Sequence, residues 1–465
     1  MAAEEDEGSP SDRRPDAASF PSLLVLFFPS LCVMGFLLLL LSLGGDDGDS
    51  GPGRDSPGPA QEDPPAWPSL APGDSSSYVL PRLEGVQVGH KQEVKLVPNK
   101  IHFMQTLSLK PLIFEIPDFL SEDECKILIH LAEQEGLYTS DTSNFQTNSW
   151  NMPDMDQMHV FNHQDHNKDG KLQVIEMMNF LLIANGLWLT PEDIQEMYAA
   201  LKADPDGNGV LSLDEFKEVN LQDVYKYIEK RKANKRDLLR NSQQAWLFKG
   251  KGAHPIMHSI QQRVIHLTRL PTEIVEHSEH LQVVRYEQGG YYHAHWDSSL
   301  VHQDAGCLHT AVFGDSQFHS TCRYATVLFY LNNVTGGGET TFPIADNATY
   351  DFKSLTQNNM DLRDTRRHCD KGNLSIKPMQ GTAIFWYNFL PDEEGWAGDL
   401  DPYSLHGGCL VTEGTKWIAN NWINVDPNIW RQLLFLNDPH TNNADEEQSE
   451  WTMDKSSSDV CVGPS

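Results

Sequence analysis

The chain has 465 residues, 39% of them hydrophobic, which supplies a sizeable core and more than one folded unit and excludes a wholly disordered protein. Its 35 Lys and Arg stand against 66 Asp and Glu, a formal charge of -31. Such a surface repels phosphate backbones, so no nucleic acid is expected as a partner, and cations are the better guests.

The first predicted element runs from Pro21 to Leu43, PSLLVLFFPSLCVMGFLLLLLSL, 23 residues without a charge. A helix needs roughly 20 to cross a bilayer core. The run is longer than the roughly 7 to 15 apolar residues of a cleaved signal and lacks a small-residue cleavage site, so a retained single-pass signal anchor is expected at 21–43. Arg13 and Arg14 precede it and DDGDS follows it. The Lys/Arg bias puts residues 1–20 in the cytosol and the rest of the chain across the membrane, a type II orientation.

Three glycosylation sequons, at Asn333, Asn347 and Asn373, all follow the span and agree with a lumenal location. Asn347, in the polar segment ADNATY, is expected to be the most exposed. Asn333 abuts the strand-like FYLNN and is expected to be less accessible. All the cysteines except Cys32 also lie beyond the span, where an oxidising lumen lets them pair, although sequence does not encode which with which.

Residues 44–79 are rich in Gly, Pro, Ser and Asp and read as a flexible stalk. Order resumes near Leu80. Within 141–235 lie two local duplicates, DHNKDGKLQVIE from Asp165 and DPDGNGVLSLDE from Asp204, both fitting D-x-[DN]-x-[DN]-G-x5-E. The expected calcium ligands are Asp165, Asn167, Asp169, the Lys171 carbonyl and Glu176 in the first loop, and Asp204, Asp206, Asn208, the Val210 carbonyl and Glu215 in the second. His166 and Lys168 dilute the negative field of the first loop. Leu172 and Leu211, at position 8 of each loop, are placed to join the loops through a short strand. The loop starts lie 39 residues apart (204 minus 165), and the two full matches resemble a paired, all-α EF-hand module. Thr190-Pro191 marks the start of a helix, and Ile194, Met197, Tyr198 and Leu201 make its apolar stripe.

The dipeptide pattern H-x-D occurs four times: His163/Asp165, His295/Asp297, His302/Asp304 and His368/Asp370. Context separates them. Asp165 belongs to a calcium loop, HQDAGC around His302 carries no strand signal, and RDTRRHCDKG surrounds His368 with cations that oppose metal capture. Only His295/Asp297 follows an apolar, β-prone run, LQVVRY, and a Gly-Gly bend, and on an extended segment residues i and i+2 face the same way. A third ligand must come from elsewhere, and His406, in YSLHGGC, could complete a two-histidine, one-carboxylate triad that leaves positions open on non-haem Fe(II). Ten residues on, Lys416 opens the strand-like KWIANNWINV. A lysine buried there needs an anion, and the distal carboxylate of 2-oxoglutarate would supply one. Taken singly, His406 reads equally well as a core histidine and Lys416 as a surface charge.

Together, H-x-D followed after about a hundred residues by S-L-H-x-G-C-x-V-x-x-G-x-K-W resembles the prolyl 4-hydroxylases of the Fe(II)/2-oxoglutarate dioxygenase superfamily; here Asp297 and His406 are 109 apart. The resemblance extends through PLIFEIPDFLSEDECKILIHLAE, RNSQQAWL, RYATVLFYLNNVTGGGETTFP and GTAIFWYN, more than half of the chain. It implies His295, Asp297 and His406 as iron ligands, Lys416 as the 2-oxoglutarate anchor, and Tyr286 and Tyr330 as walls of the co-substrate pocket.

The implied fold class is α+β multidomain. A double-stranded β-helix, or jelly-roll, is assembled from 80–140 and 236–430, with the EF-hand pair inserted between them, the transmembrane helix before and an acidic tail at 431–465. The implied chemistry is oxidation of a prolyl C4–H to C–OH with Fe(II), 2-oxoglutarate and O2, and with ascorbate restoring oxidised iron. The anchor and EF-hands narrow the resemblance to an endoplasmic-reticulum membrane member whose implied substrates include hypoxia-inducible factor alpha. A homodimer is carried as the expected assembly. One departure is ANNW at 419–422, where collagen-type relatives carry a lysine, which puts a shared peptide-binding mode in doubt. Two other readings stay open: hydroxylation of lysine or of a lumenal, collagen-like proline, and a catalytically silent calcium-binding scaffold.

Overall fold

The computed structural model describes residues 79–140, 157–165, 168–298, 306–313, 319–349, 355–357 and 360–438. The expected anchor at 21–43, nearly all of the stalk, Asn167, the rival pair His302/Asp304 and the tail beyond 438 lie outside these residues. Among the described residues, no helix is long and apolar enough to cross a membrane.

Two sheets form the larger part. The strands are β1 (Lys91–Val97), β2 (Lys100–Leu109), β3 (Leu112–Ile116), β4 (Tyr138–Thr139), β5 (Arg240–Asn241), β6 (Gln243–Leu247) and β7 (Leu281–Tyr286). They continue with β8 (Tyr291–His295), β9 (Arg323–Tyr330), β10 (Thr340–Phe342), β11 (Leu374–Ile376), β12 (Ala383–Tyr387), β13 (His406–Gly408) and β14 (Lys416–Asn424). The nine-stranded sheet has the order β1-β2-β3-β12-β9-β14-β7-β6-β4, and the five-stranded sheet the order β11-β10-β13-β8-β5. From β7 onward the chain repeatedly crosses between the sheets, so residues far apart in sequence become neighbours.

The central strands are buried on both faces and therefore read as near-continuous apolar runs, AIFWY in β12 and YATVLFY in β9. One face of the large sheet packs against α1 (Glu122–Glu135) and α7 (Pro255–Thr268), bringing Leu128 and Val264 into one core with Phe329 and Phe385. Helix α1 starts where a capping box allows it: Ser121 Oγ accepts from the Glu124 N–H, and Glu124 accepts in return from the Ser121 N–H. The other face meets the small sheet around Val284, Leu328, Phe342, Ile376, Trp386 and Ile418. Each such side chain contributes roughly 1.5–3 kcal/mol by leaving water.

The helical module is a topological insertion. Strand β4 pairs with β6, Tyr138 opposite Gln244, so the chain leaves and re-enters the sheet through adjacent strands. In the described part of the module, α2 (Gln157–Gln164), α3 (Val174–Asn185), α4 (Pro191–Leu201), α5 (Leu213–Glu218) and α6 (Leu221–Lys232) close a core of their own around Phe161, Ile194 and Phe216. Leu172 lies opposite Leu211 in the short antiparallel strand pair that joins the loops. Two disulfides, Cys307–Cys322 and Cys369–Cys409, tie loops to the sheets, while Cys125 is a buried free thiol.

Candidate functional site

A bend at Gly289-Gly290 delivers β8 to the small sheet. Gly289 has φ +85°, and a Cβ on Gly290 would lie 2.8 Å from the Glu287 carbonyl oxygen, so side chains are excluded at both. Strand β8 then runs antiparallel to β13 with His295 directly opposite His406. Asp297 follows just beyond the strand end. Nε2 of His295 lies 3.7 Å from Asp297 Oδ1, and Nε2 of His406 lies 3.7 Å from Asp297 Oδ2. One donor atom from each of the three side chains falls within 4.8 Å of the others.

Both imidazoles are fixed in the same tautomer. His295 Nδ1 sits 2.9 Å from the His293 carbonyl and His406 Nδ1 sits 2.9 Å from the Ser404 carbonyl. A carbonyl only accepts, so each Nδ1 donates and each Nε2 keeps its lone pair for the centre of the site. Burial pushes His406 down to about 4, against the raising effect of Asp297, so this imidazole is neutral at pH 7. Burial would raise the Asp297 carboxyl, but His406, His295 and Arg323 outweigh it and hold the carboxyl well below the usual range. Two imidazole Nε2 atoms and one carboxylate, with no fourth protein ligand in the cluster among the described residues, fit a divalent iron that must keep positions open. His368 and Asp370 join no such cluster among the described residues.

Lys416 starts β14 opposite Tyr286 on β7. It is only 2% exposed, and its ammonium has no carboxylate within ion-pair distance among the described residues. Burial pushes its pKa down to about 7, with Glu339 opposing from farther away. The Nζ lies 5.5 Å from the Tyr286 ring and 5.9 Å from the Tyr330 ring, and a Cβ built on Gly408, two residues past His406, would be 3.9 Å from it. An orphaned buried cation between two tyrosines and the strand of a metal-ligand candidate fits a carboxylate that arrives with the co-substrate. The Tyr330 hydroxyl is engaged, donating to Thr340 Oγ1 at 2.8 Å.

In the helical module, Asp165 and Asp204 each accept backbone N–H bonds from their own loops, including those of Gly170 at 2.8 Å and Gly209 at 2.7 Å. Glu176 and Glu215 cap the exit helices through 2.9 Å bonds from Gln173 N–H and Ser212 N–H. The carboxylates of Asp204, Asp206 and Glu215 lie within 4.8 Å of one another, and the Asn208 amide donates to Asp206 at 2.6 Å. Lys171 and Val210 occupy the carbonyl positions of their loops.

The sequons depart from expectation. Asn333 and Asn373 are exposed, whereas Asn347 is half-buried, its Oδ1 accepting from Thr349 N–H at 3.0 Å. Asn333 escapes burial because the chain leaves β9 after Tyr330 and turns outward.

Several neighbours of the site escaped sequence reasoning. Thr326 on β9 donates to Asp297 Oδ2 at 2.7 Å. Arg323 grips Glu279 through two 2.7 Å bonds, points another nitrogen at the Asp297 carbonyl 3.4 Å away, and lies 3.4 Å over the Trp422 ring. Trp188, between α3 and α4, stacks on His293. Thr326 left a trace in the sequence, as a polar residue within the apolar run that follows Arg323 in β9.

Residues 281–424 match the 2OG-Fe(II) oxygenase superfamily, and residues 155–219 match the EF-hand domain pair. The chain is 52% identical over 452 residues to the transmembrane prolyl 4-hydroxylase of Homo sapiens, covering 95% of this chain and 88% of that one. Against the Mus musculus protein of the same name it is 51% identical over 450 residues, covering 95% and 87%. Among solved structures, a viral collagen prolyl hydroxylase from Paramecium Bursaria Chlorella virus-1, in its 2OG complex, is 20% identical with a TM-score of 0.31, covering 67% of this chain and 94% of that one.

Proposed function

The chain belongs to the prolyl 4-hydroxylase family, and on that premise we propose that it hydroxylates C4 of prolyl residues in a protein substrate, with Fe(II) held by His295, Asp297 and His406 and 2-oxoglutarate anchored by Lys416. The observation that carries this reading is the pairing of the three-ligand cluster with an uncompensated buried lysine beside the same strand. We read the eight strands β7 to β14 as a double-stranded β-helix with the metal at one mouth. Ferrous iron held there, with 2-oxoglutarate and dioxygen, would supply the oxidation that installs the hydroxyl, with succinate and carbon dioxide as co-products and ascorbate as the reductant that keeps the iron ferrous.

The protein's own groups position and shield. The backbone carbonyls of His293 and Ser404 hold the two imidazoles in register, Lys416 neutralises the far carboxylate of the co-substrate, and the apolar wall of Val284, Leu328 and Ile418 excludes water. The prolyl chain docks on the inner face of β6, β7 and β14 beside Arg323. There the Trp246 and Trp422 rings lie 5.9 Å apart, and Gln244, Gln282 and Asn420 form a ladder of amide bonds of 2.7 and 3.0 Å. Indoles suit a pyrrolidine ring and amides suit a peptide backbone.

The EF-hand pair binds calcium and biases turnover through its contact with β8. The chain is anchored by residues 21–43 in the endoplasmic-reticulum membrane, with the catalytic domain lumenal. Two disulfides support an oxidising compartment, which favours a lumenal or secretory prolyl protein over hypoxia-inducible factor alpha in the cytosol. The deciding experiment measures 2-oxoglutarate turnover with and without candidate prolyl peptides, both lumenal and from hypoxia-inducible factor alpha, followed by mass analysis of the product. Turnover stimulated by no prolyl peptide, or a product modified at lysine, overturns the proposal.

A further inference from the structure

We infer that Thr326, driven by a buried relay that starts at Trp386, satisfies Oδ2 of Asp297 with an obligate hydroxyl donor and leaves Oδ1 as the oxygen offered to the metal. Thr326, Asn388 and Trp386 are thus positioning residues that set Asp297 as a one-oxygen ligand. The inference rests on the reading of His295, Asp297 and His406 as the iron ligands.

Three consecutive hydrogen bonds make the relay. Trp386 Nε1 lies 2.9 Å from Asn388 Oδ1, Asn388 Nδ2 lies 2.9 Å from Thr326 Oγ1, and Thr326 Oγ1 lies 2.7 Å from Asp297 Oδ2. Trp386, Asn388 and Thr326 are each 0% exposed, so water cannot substitute for a missing partner. The polarity is forced from both ends. An indole N–H can only donate, so it meets the amide oxygen of Asn388. The Arg323 carbonyl can only accept, and it lies 2.9 Å from the same Asn388 nitrogen. The Asn388 amide is therefore fixed in one orientation by two independent groups, one of its hydrogens going to Arg323 and the other to Thr326. With Thr326 Oγ already accepting, its hydroxyl hydrogen is left for Asp297.

An oxygen that carries such a donor is a weaker metal ligand than its partner on the same carboxylate. A single ligating oxygen keeps the protein's donors at three, which leaves room for a chelating co-substrate and oxygen. The Trp386 ring also packs edge-on against His406, centroids 4.7 Å apart, so one side chain braces two of the three ligands.

The test titrates the full chain, solubilised in detergent with its EF-hands saturated by Ca2+, with Co2+ alone, and reads both the affinity and the visible d–d absorption. Thr326→Val, nearly isosteric, is expected to weaken Co2+ binding by about 10- to 100-fold. It is also expected to lower the absorption intensity as the freed Oδ2 joins the coordination sphere. Thr326→Ser restores both. Trp386→Phe removes the N–H together with part of the ring packed against His406, and moves both readouts in the same direction by a smaller factor. Parent-like affinity and spectrum in Thr326→Val overturn the inference. Should that variant fail to fold, a parent-like Trp386→Phe overturns it instead. His295→Ala separates the two levels: if it binds Co2+ as the parent does, the ligand assignment itself is wrong, whereas loss in His295→Ala with an unchanged Thr326→Val removes only the relay.

Discussion

The indole of Trp188 lies against the imidazole of His293 with ring centroids 4.3 Å apart, joining the linker between two EF-hand helices to the strand that carries His295. The backbone reinforces this contact. Leu239 N–H donates to the Gly186 carbonyl at 2.7 Å, and His293 N–H donates to the Leu239 carbonyl at 3.0 Å. A shift of helix α3 or α4 on calcium binding therefore acts on β8 through two hydrogen bonds and a ring contact. On this basis, turnover followed across a calcium titration should change several-fold, as couplings of about 1–3 kcal/mol produce. Trp188→Ala should flatten that response while calcium still binds. A flat response in the parent would leave the module as a structural or docking element.

In a loop of the D-x-[DN]-x-[DN]-G-x5-E pattern, calcium binding depends on the last residue. A bidentate glutamate supplies two ligand oxygens, and an amide supplies one neutral oxygen in their place. Glu176→Gln and Glu215→Gln should each weaken binding at their own site, which calorimetry on the two single variants resolves. Retained affinity in both would exclude these loops as calcium sites.

Loss of one of three protein ligands should nearly abolish iron binding and iron-dependent turnover, so His295→Ala is expected to be inactive at any added Fe(II). His302→Ala removes the rival H-x-D histidine and should keep most of the activity. Equal damage in both variants would point to the wrong pair.

Lys416 gives a pH dependence with a definite sign. Its pKa is depressed to about 7 in the free protein, first by burial, with Glu339 pulling weakly the other way. The incoming carboxylate stabilises the ammonium and raises that pKa in the complex. Above about pH 7, binding must therefore take up a proton, and 2-oxoglutarate affinity should fall by up to about tenfold per pH unit, while below it the affinity stays level. Calorimetry at pH 8 in two buffers of different ionisation enthalpy, with Mn2+ present, should detect the uptake. Lys416→Arg, charged throughout, should bind more weakly because its geometry differs but should take up none. Absence of proton uptake in the parent would remove Lys416 from the co-substrate site.

Topology can be read from the sequons. Protein made in cells should shift in gel mobility on glycosidase treatment, and Asn333→Gln and Asn373→Gln, at exposed positions, should each remove part of the shift. The half-buried Asn347 tests whether modification precedes folding. Unmodified sequons, together with digestion of the catalytic domain by external protease in sealed microsomes, would place that domain in the cytosol.

By itself the sequence determined the features whose chemistry is local. A calcium loop draws its ligands from 12 consecutive residues, so the duplicated D-x-[DN]-x-[DN]-G-x5-E pattern made both loops legible without a fold. The Gly-Gly bend before Tyr291 was legible in the same way, whereas His295 and Asp297 meet although Asp297 lies in a bend past the end of β8 rather than on the extended segment expected for an i, i+2 pair. Tertiary structure decided whatever depends on residues brought together by strand crossings. His406, 109 residues from Asp297 in sequence, lies beside it because β13 pairs with β8, and Lys416 is buried rather than exposed because β14 lies between β9 and β7 in the large sheet. The same crossing sets Thr326 against Asp297 and leaves Asn333 in the open. None of these has a sequence period to betray it, because burial and hydrogen-bond partnership are properties of a residue's neighbours in space, and sheet topology alone assigns those neighbours.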